Sequence, residues 1–294
     1  MSTTTFEIKR ILIPYDFSET AKLSLEHAVF MAKLLKADIY MLHILESVSF
    51  TSAFGAAFGS VDKKLETESN QKLEEIAHEI FSNSGVTIKC FTEVGRIYKK
   101  IVEVAKRENI DIIIMGTHGA SGYTKFRAGT NTSKVVEEAV CPVISVQEVS
   151  HRVGFKKIVI PIDNTPQSRQ KVSYALAIAR AYQSHVYVVG LVNFSNEENK
   201  RKFHIKVDQV EEWLAQHEIT SEKKFVEGDN LAKMTMQVAE ELDADLIVIM
   251  TEQEPSITGL FLGTYATQVV NHSKIPVMAV HPQASDLSTA TLGY

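Results

Sequence analysis

Residues 111–133 read Asp-Ile-Ile-Ile-Met-Gly-Thr-His-Gly-Ala-Ser-Gly-Tyr-Thr-Lys-Phe-Arg-Ala-Gly-Thr-Asn-Thr-Ser. The unbroken apolar run after Asp111 predicts a short strand buried on both faces of a parallel sheet. The glycines behind it let the backbone turn tightly and let a ligand approach closely, because they carry no Cβ. Gly129 and Thr130 then open a segment with apolar residues on one helical face. The stretch therefore predicts a strand, a glycine-rich loop and the start of a helix.

This stretch also suggests a phosphate-binding site. A helix N-terminus attracts phosphate through its free N–H groups and its dipole, and Thr and Asn are good residues at such a start. Side chains able to donate hydrogen bonds to phosphate oxygens lie in the loop, at His118, Lys125 and Arg127. The alternative is a plain strand-to-helix connection whose glycines serve only turns and close packing.

The composition limits the possible functions. The net charge of −5, with no basic run in either half, makes nucleic acid an unexpected partner. Only two cysteines occur, without metal-ligand spacing, which is typical of buried thiols in a reducing compartment. No stretch is long and apolar enough for a membrane helix, and the first residues do not resemble a signal peptide. The sequence therefore predicts a cytoplasmic protein.

The chain repeats itself. Residues 10–16, Arg-Ile-Leu-Ile-Pro-Tyr-Asp, return at 157–163 as Lys-Ile-Val-Ile-Pro-Ile-Asp, an offset of 147. Near the end of each copy, Cys-Pro-Val-Ile-Ser-Val at 141–146 returns as Ile-Pro-Val-Met-Ala-Val at 275–280, an offset of 134. Matches at such regular spacing indicate a tandem repeat. The predicted domains are residues 1–148 and residues 149–294.

Strands and helices alternate in each copy, which predicts an α/β fold built on an open, mostly parallel, Rossmann-like sheet. The expected strand order is 3-2-1-4-5. Ligands bind such sheets beyond the carboxyl ends of the strands, where the strand order reverses. Strand one would then lie beside strand four, and Asp16 would meet the loop at Gly116. The last strand of each copy would lie at a sheet edge, so the two edges are expected to pair and form an internal pseudo-dimer.

Residues 47–61 contain neither a charged residue nor a proline. We expect a mobile loop there, able to act as a lid, followed by a polar amphipathic helix from about Asp62 to Ser82. A disordered loop, or one packed on a partner, is the alternative.

Together these residues resemble the universal stress protein family. The nucleotide-binding members of that family carry Gly-x2-Gly-x9-Gly-(Ser/Thr) after strand four, and Gly116, Gly119, Gly129 and Thr130 fit this spacing. Residues 11–21 are similar to the family's first strand and the turn after it, and residues 42–46 are similar to the end of its second strand. The resemblance covers residues 8–147 and 156–281, which is nearly the whole chain.

The resemblance implies that ATP, with or without Mg²⁺, binds at the switch point of the first sheet. Carried over by position, the first two residues named below lie near ribose and adenine, the third contacts adenine, and the next two line the ribose side. The others surround the phosphates, apart from Arg127, which would screen their charge. These residues are Pro14, Asp16, Ile44, Met115, Gly116, His118, Gly119, Arg127, Gly129, Thr130, Asn131 and Thr132. For Asp16 the alternative is a helix-capping role, and for His118 that of a polar loop residue.

The second copy departs from this pattern. Its corresponding loop, residues 250–264, lacks the first two glycines and places Glu252 and Glu254 where phosphates would lie. Pro255 also removes one backbone N–H donor. We therefore expect the second domain to be degenerate and structural.

Three functions remain open on this evidence. The first is an ATP-binding regulatory protein of stress response, and the second is a nucleotide-independent signalling scaffold with an unknown protein partner. The third is a slow ATPase that uses the same site. The sequence has no Walker-type Gly-x4-Gly-Lys-(Ser/Thr) motif, and His118 is the only candidate general base near the phosphates, so at most weak ATP hydrolysis is expected. A homodimer of whole chains is a further expectation.

Overall fold

The computed structural model describes the backbone of residues 6–46, 55–117, 130–147, 152–251, 253–256 and 259–282. Within these ranges, side chains are described except at residues 55–62, 130, 253–256 and 259–262.

The N-terminal repeat alternates strands and helices as the sequence predicts. Its elements are β1 (Arg10–Pro14), α1 (Glu19–Leu35), β2 (Asp38–Leu45), α2 (Gly55–Ser84), β3 (Ile88–Val94), α3 (Ile97–Arg107), β4 (Ile112–Gly116), α4 (Thr130–Glu138) and β5 (Val143–Val146).

The C-terminal repeat follows the same order, with a 3-10 turn added before its first helix. A hairpin follows its fourth strand, where the corresponding residues 118–129 of the N-terminal repeat lie outside the described ones. The elements of the C-terminal repeat are β6 (Lys157–Ile162), the 3-10 turn (Pro166–Arg169), α5 (Lys171–Tyr182), β7 (His185–Val192), α6 (Glu197–Gln216), β8 (Ser221–Glu227), α7 (Leu231–Glu241), β9 (Leu246–Met250), β10 (Gln253–Ser256), β11 (Gly259–Leu262), α8 (Thr264–His272) and β12 (Val277–Val280).

The two repeats share one ten-stranded sheet in the order β3-β2-β1-β4-β5-β12-β9-β6-β7-β8. Each repeat therefore has the order 3-2-1-4-5, and its strands pair in parallel. The two edge strands β5 and β12 pair antiparallel, with Met278 opposite Ile144. The predicted fold class and the internal pseudo-dimer are thus confirmed.

The apolar runs of the strands are explained by helices on both faces of the sheet. Ile11 and Ile13 of β1 pack into one core layer, whereas Leu12 packs into the layer on the opposite face. All three side chains are completely buried. A strand covered on both sides needs apolar residues at every position, which is why the runs do not alternate with polar residues.

The helices α1 and α5 pack against each other across the two repeats. The ring of His27 in α1 stacks on Phe155, which precedes β6, with centroids 5.1 Å apart. The ring of Phe30 lies 5.6 Å from that of Tyr182 in α5. Neither ring nitrogen of His27 has a hydrogen-bond partner, and burial lowers the pKa of this imidazole to about 4. His27 is therefore neutral at physiological pH and acts as part of an apolar interface.

Two local expectations were wrong. The helix α2 begins at Gly55 rather than near Asp62, so residues 55–61 of the expected loop are helical, while residues 47–54 lie outside the described residues. Alanines are the best helix formers, and extending an existing helix avoids the cost of a new nucleus, which favours this earlier start. In the C-terminal repeat, the β10–β11 hairpin forms where a degenerate loop was expected, and β11 lies beside α4.

No helix among the described residues has both the length and the apolar character needed to cross a bilayer.

Candidate functional site

The turn after β1 is held by a carboxylate. Asp16 Oδ1 accepts hydrogen bonds from the Ser18 backbone N–H (3.1 Å) and from the Ser18 hydroxyl (2.6 Å). Ser18 is the N-cap of α1, and its Oγ accepts from the Ala21 N–H at 3.2 Å. The capping alternative expected Asp16 itself to cap the helix, but Ser18 is the cap, and Asp16 braces Ser18. Its half-buried carboxylate lies at the carboxyl end of β1.

The end of β4 lies against this turn. A Cβ placed on Gly116 would lie 2.7 Å from Thr20 Oγ1 and 2.8 Å from Thr20 Cβ, closer than real Cβ atoms approach such neighbours. Only glycine therefore fits where β4 meets the first turn of α1. This close approach brings the Asp16 turn and the start of the glycine-rich loop together, as the strand order predicts.

The N-terminal end of α4 is tied to the same point. The Thr132 hydroxyl donates to the carbonyl oxygen of Gly116 at 3.1 Å, and the Thr132 side chain is almost completely buried. Asn131 is half-buried beside it, and the backbone of Thr130 begins the helix. The first turn of α4 is therefore held beside the end of β4. The hydroxyl of Thr132 serves this attachment. The N–H groups in the first turn of any helix have no partner within the helix, and the positive end of its dipole lies there.

The other predicted base and ribose residues occupy the ends of neighbouring strands. Pro14, the last residue of β1, pairs with Leu42 of β2 and is half-buried. Ile44 of β2 is half-buried and packs against the core layer that contains Leu12. Met115 is buried next to Gly116. Four predicted phosphate residues lie outside the described residues: His118, Gly119, Arg127 and Gly129.

A polar chain connects this end of the sheet to the C-terminal repeat. The Thr117 hydroxyl donates to Gln147 Oε1 at 2.7 Å, and Gln147 Nε2 donates to the Val270 carbonyl at 3.3 Å. All of these groups are buried. The sequence contained one signal for these hydrogen bonds, because Thr117 recurs as Thr251 at an offset of 134. In the C-terminal repeat, the Thr251 hydroxyl lies 2.9 Å from His281 Nδ1.

Sequence reasoning missed a cluster of rings at the rim of the site. The ring of Phe17 lies 5.3 Å from that of Tyr15 and 5.0 Å from that of His43 on β2. His43 Nδ1 is 2.8 Å from the carbonyl oxygen of Tyr15. Phe17 also has a left-handed backbone conformation, with φ of 65°. We call Tyr15, Phe17 and His43 the rim trio.

The corresponding end of the C-terminal repeat keeps the turn but differs at the end of the strand and at the start of the helix. Asp163 Oδ1 accepts from the Thr165 N–H (2.7 Å) and hydroxyl (2.5 Å), as Asp16 does from Ser18. Met250 ends β9 at the position of Gly116, and its side chain is buried. Ala266 replaces Thr132 and has no hydroxyl to donate.

A buried lysine also distinguishes the C-terminal repeat. Lys171 corresponds to Ser24 of the N-terminal repeat, and its Nζ donates to the Ser168 carbonyl at 2.6 Å. Burial lowers the pKa of this amine to about 8, although the charge of Asp163 opposes the shift. The side chain reaches back over the preceding 3-10 turn, in the direction that helical side chains normally take.

A separate cavity of about 220 Å³ lies between the repeats, lined in part by Asp111, Cys141, Tyr174 and His281. Asp111 precedes β4, so this cavity lies at the opposite end of that strand from Gly116. Burial raises the pKa of the Cys141 thiol to about 12, so the thiol is un-ionised at neutral pH. Within the described ranges, no group of His, Cys, Asp and Glu side chains could hold a metal ion.

Comparison with known proteins adds a finding to this geometry. The sequence profile of the universal stress protein family matches residues 7–147 and 154–281. A universal stress protein of Methanocaldococcus jannaschii is 31% identical over 154 residues, covering 47% of this chain and 94% of that protein. One from Mycolicibacterium smegmatis is 20% identical over 292 residues, covering 93% of this chain and 97% of its own length.

A solved structure gives the same result at the level of the fold. The crystal structure of a universal stress protein from Archaeoglobus fulgidus superposes with a TM-score of 0.74 at 20% identity. The match covers 92% of this chain and 98% of that one, so it includes both repeats.

Proposed function

The chain belongs to the universal stress protein family, and we propose that its N-terminal repeat binds ATP in a regulatory, stress-response role. The observation that carries the proposal is the meeting of three features at Gly116. They are the Asp16 turn, the end of β4, and the first turn of α4, which Thr132 ties to the Gly116 carbonyl.

The proposed phosphate end is the start of α4. A helix N-terminus offers N–H donors and a partial positive charge, which stabilise a bound phosphate. By family resemblance, the backbone from Gly129 to Asn131 and the residues Gly119 and His118 would surround the phosphates, with Arg127 offsetting their charge. Mg²⁺ would come with the nucleotide rather than be held by protein side chains alone.

The proposed base and ribose end lies across the ends of β1, β2 and β4. Half-buried Pro14 and Ile44 offer apolar surface to adenine, and Met115 contributes the ribose side. The Asp16 carboxylate is a suitable acceptor for ribose hydroxyl groups because an ionised carboxylate has several acceptor positions. One of its oxygens already accepts from Ser18, which holds the group at a fixed orientation.

We propose that the C-terminal repeat does not bind ATP in this way. Met250, whose side chain is buried, replaces Gly116 at the end of the strand, and two acidic residues, Glu252 and Glu254, follow in the sequence. Like charges ~4 Å apart cost about 4 kcal/mol at an effective dielectric of 20, so such carboxylates would repel a triphosphate. The second repeat then serves as the structural partner of the first.

A regulatory role is preferred to an enzymatic one. Catalysis of ATP hydrolysis needs a group that positions or activates the attacking water. His118 is the only candidate for that role near the proposed phosphates, so we propose at most weak hydrolysis. The domain boundary at 148/149, a homodimer of whole chains and a cytoplasmic location stay predictions.

Calorimetric titration of the full chain with ATP tests the proposal. We expect one ATP per chain. Gly119→Glu should weaken binding about a thousandfold, because it adds a carboxylate worth about 4 kcal/mol of repulsion beside the phosphates. Gln253→Glu is the matched control, since residue 253 corresponds to residue 119 at an offset of 134, and its effect on ATP affinity should be small.

Two ATP molecules per chain, or none, would contradict the proposal. Steady release of inorganic phosphate at a rate typical of enzymes would favour the ATPase alternative. Mass spectrometry of any small molecule released by heating the purified protein gives an independent check of the ligand.

A further inference from the structure

The rim trio exists in one repeat only. At an offset of 147, the counterparts of its three members are not aromatic and cannot form the same contacts. The counterparts are Ile162, Asn164 and Gly190. A side chain at position 190 has no room, because a Cβ there would lie 2.6 Å from the Phe225 ring. The trio therefore accompanies the glycine motif, although the two features lie on different elements.

The backbone at Phe17 indicates that this turn is held under strain. A left-handed conformation is uncommon for a bulky residue and costs roughly 1–2 kcal/mol, so neighbouring groups must maintain it. The rings of Tyr15 and His43 contact Phe17 on two sides, and Lys72 Nζ of α2 lies 6.0 Å from the centre of its ring. Backbone strain of this kind is often found at binding sites.

His43 fixes the peptide unit just before Asp16. A carbonyl oxygen only accepts hydrogen bonds, so the 2.8 Å contact requires that His43 Nδ1 carry the hydrogen. The Tyr15 carbonyl and the Asp16 N–H belong to one planar peptide group. Holding that carbonyl therefore fixes the plane from which the Asp16 side chain starts.

The C-terminal repeat holds the equivalent aspartate differently. The backbone N–H of Asp163 donates to Ser168 Oγ at 2.9 Å, and Ser168 belongs to the 3-10 turn that the N-terminal repeat lacks. The aspartate turn is thus supported by Ser168 of the 3-10 turn in the C-terminal repeat, and by His43 of β2 in the N-terminal repeat.

We propose that His43 is a positioning residue of the nucleotide site. Its Nδ1–H orients the Tyr15–Asp16 peptide group, and the Phe17 turn then aims the Asp16 carboxylate at the ribose. This inference rests on the proposed function, because it concerns the same site.

Two substitutions separate positioning from general packing. The side-chain nitrogen of Asn can take the place of His Nδ1, whereas that of Gln can only take the place of Nε2. His43→Asn should keep the hydrogen bond and bind ATP within about twofold of the wild type. His43→Gln should bind about fivefold more weakly, since a typical net hydrogen bond is worth about 1 kcal/mol. If His43 only filled space, His43→Asn would not bind ATP more tightly than His43→Gln.

The control is His204→Gln. His204 is exposed and stacks on Phe225 in the C-terminal repeat, with centroids 3.9 Å apart. This variant should bind ATP as the wild type does. Circular dichroism and thermal unfolding of all variants show whether each is folded, and ¹⁵N NMR of the wild type should show the proton of His43 on Nδ1.

The outcomes distinguish the two proposals. Weaker binding by His43→Gln than by His43→Asn supports the inference. Equal affinities of both variants and the wild type, or a proton found only on Nε2, overturn the inference and leave ATP binding standing. A wild type that binds no nucleotide overturns the proposed function and the inference with it.

Discussion

The ligand ends of the two repeats share an aspartate turn and differ in what surrounds it. Asp16 and Asp163 accept the same pair of hydrogen bonds from the residue two positions later. Gly116 and Ser24 of the N-terminal repeat are replaced by Met250 and Lys171 at the matching positions of the C-terminal repeat.

The comparison shows that the aspartate belongs first to the framework. Both repeats keep it, so its presence does not identify a binding site. The residues that differ carry more information about binding, because only they can distinguish a repeat that holds a ligand from one that does not. Exchanging residues that differ, and removing the aspartate that is shared, therefore tests the comparison.

Exchanging the strand-end residues should have the largest effect. In Gly116→Met, the new side chain would overlap Thr20, and we expect a loss of about 3 kcal/mol in the free energy of unfolding, the upper end for overpacking. ATP binding should disappear. The reciprocal Met250→Gly should lower stability through a cavity without creating a second ATP site. Urea unfolding measures the free energy of unfolding, and calorimetry measures the affinity for ATP. ATP binding by Gly116→Met with unchanged affinity would contradict the account of this end of the sheet.

Removing the buried amine should have a smaller, pH-dependent effect. The pKa of Lys171 is about 8 in the folded chain and near 10.5 when exposed. Between these values the unfolded chain holds more protons, so stability should rise with pH across that window. Below pH 8 the buried charge is a full cost, and Lys171→Met should stabilise the fold by about 2 kcal/mol at pH 7.

The exposed Lys233→Met is the matched control for this experiment and should change stability little. The measurement is chemical unfolding of the wild type and both variants from pH 7 to 10.5. If the wild type and Lys171→Met show parallel pH profiles, Lys171 does not titrate as its burial indicates.

Removing the shared carboxylate should have the smallest effect on stability. Asp16→Ala and Asp163→Ala each take away the acceptor that braces a helix start, at a cost of about 1 kcal/mol. The loss should be larger for Asp163→Ala, because the charge of Asp163 also stabilises the buried Lys171 amine. Only Asp16→Ala should also weaken ATP binding. Equal ATP affinities in both variants would show that Asp16 is a framework residue alone.

The sheet could be predicted because its signals are repeated and local. The Ile-Pro and Pro-Val strands recur at fixed offsets, and the connection rules for parallel strands leave few possible orders. The start of α2 could not be placed, because residues 55–61 combine helix-forming alanines with glycines and carry no charge to mark a boundary. The β10–β11 hairpin was hidden for a similar reason, since Pro255 discourages a strand assignment.

The site was predictable in position but not in detail. Asp16 and Gly116 meet as the strand order requires, although about 100 residues separate them in sequence. The attachment of Thr132 to the Gly116 carbonyl could not be foreseen, because a threonine at a helix start is equally able to bind phosphate. The left-handed Phe17 gave no signal either, since bulky residues rarely adopt that conformation.

The antiparallel pairing of β5 with β12 has a consequence for how such a protein can change over evolution. When two identical chains assemble through a two-fold axis, every substitution appears on both sides at once. Here the two halves are written separately in one chain, so one half can lose its ligand contacts while the other retains them. Covalent linkage also makes their association independent of protein concentration, because each half meets the other at a high effective concentration. A repeat that has lost its ligand contacts can therefore remain as a permanent structural part of the pseudo-dimer.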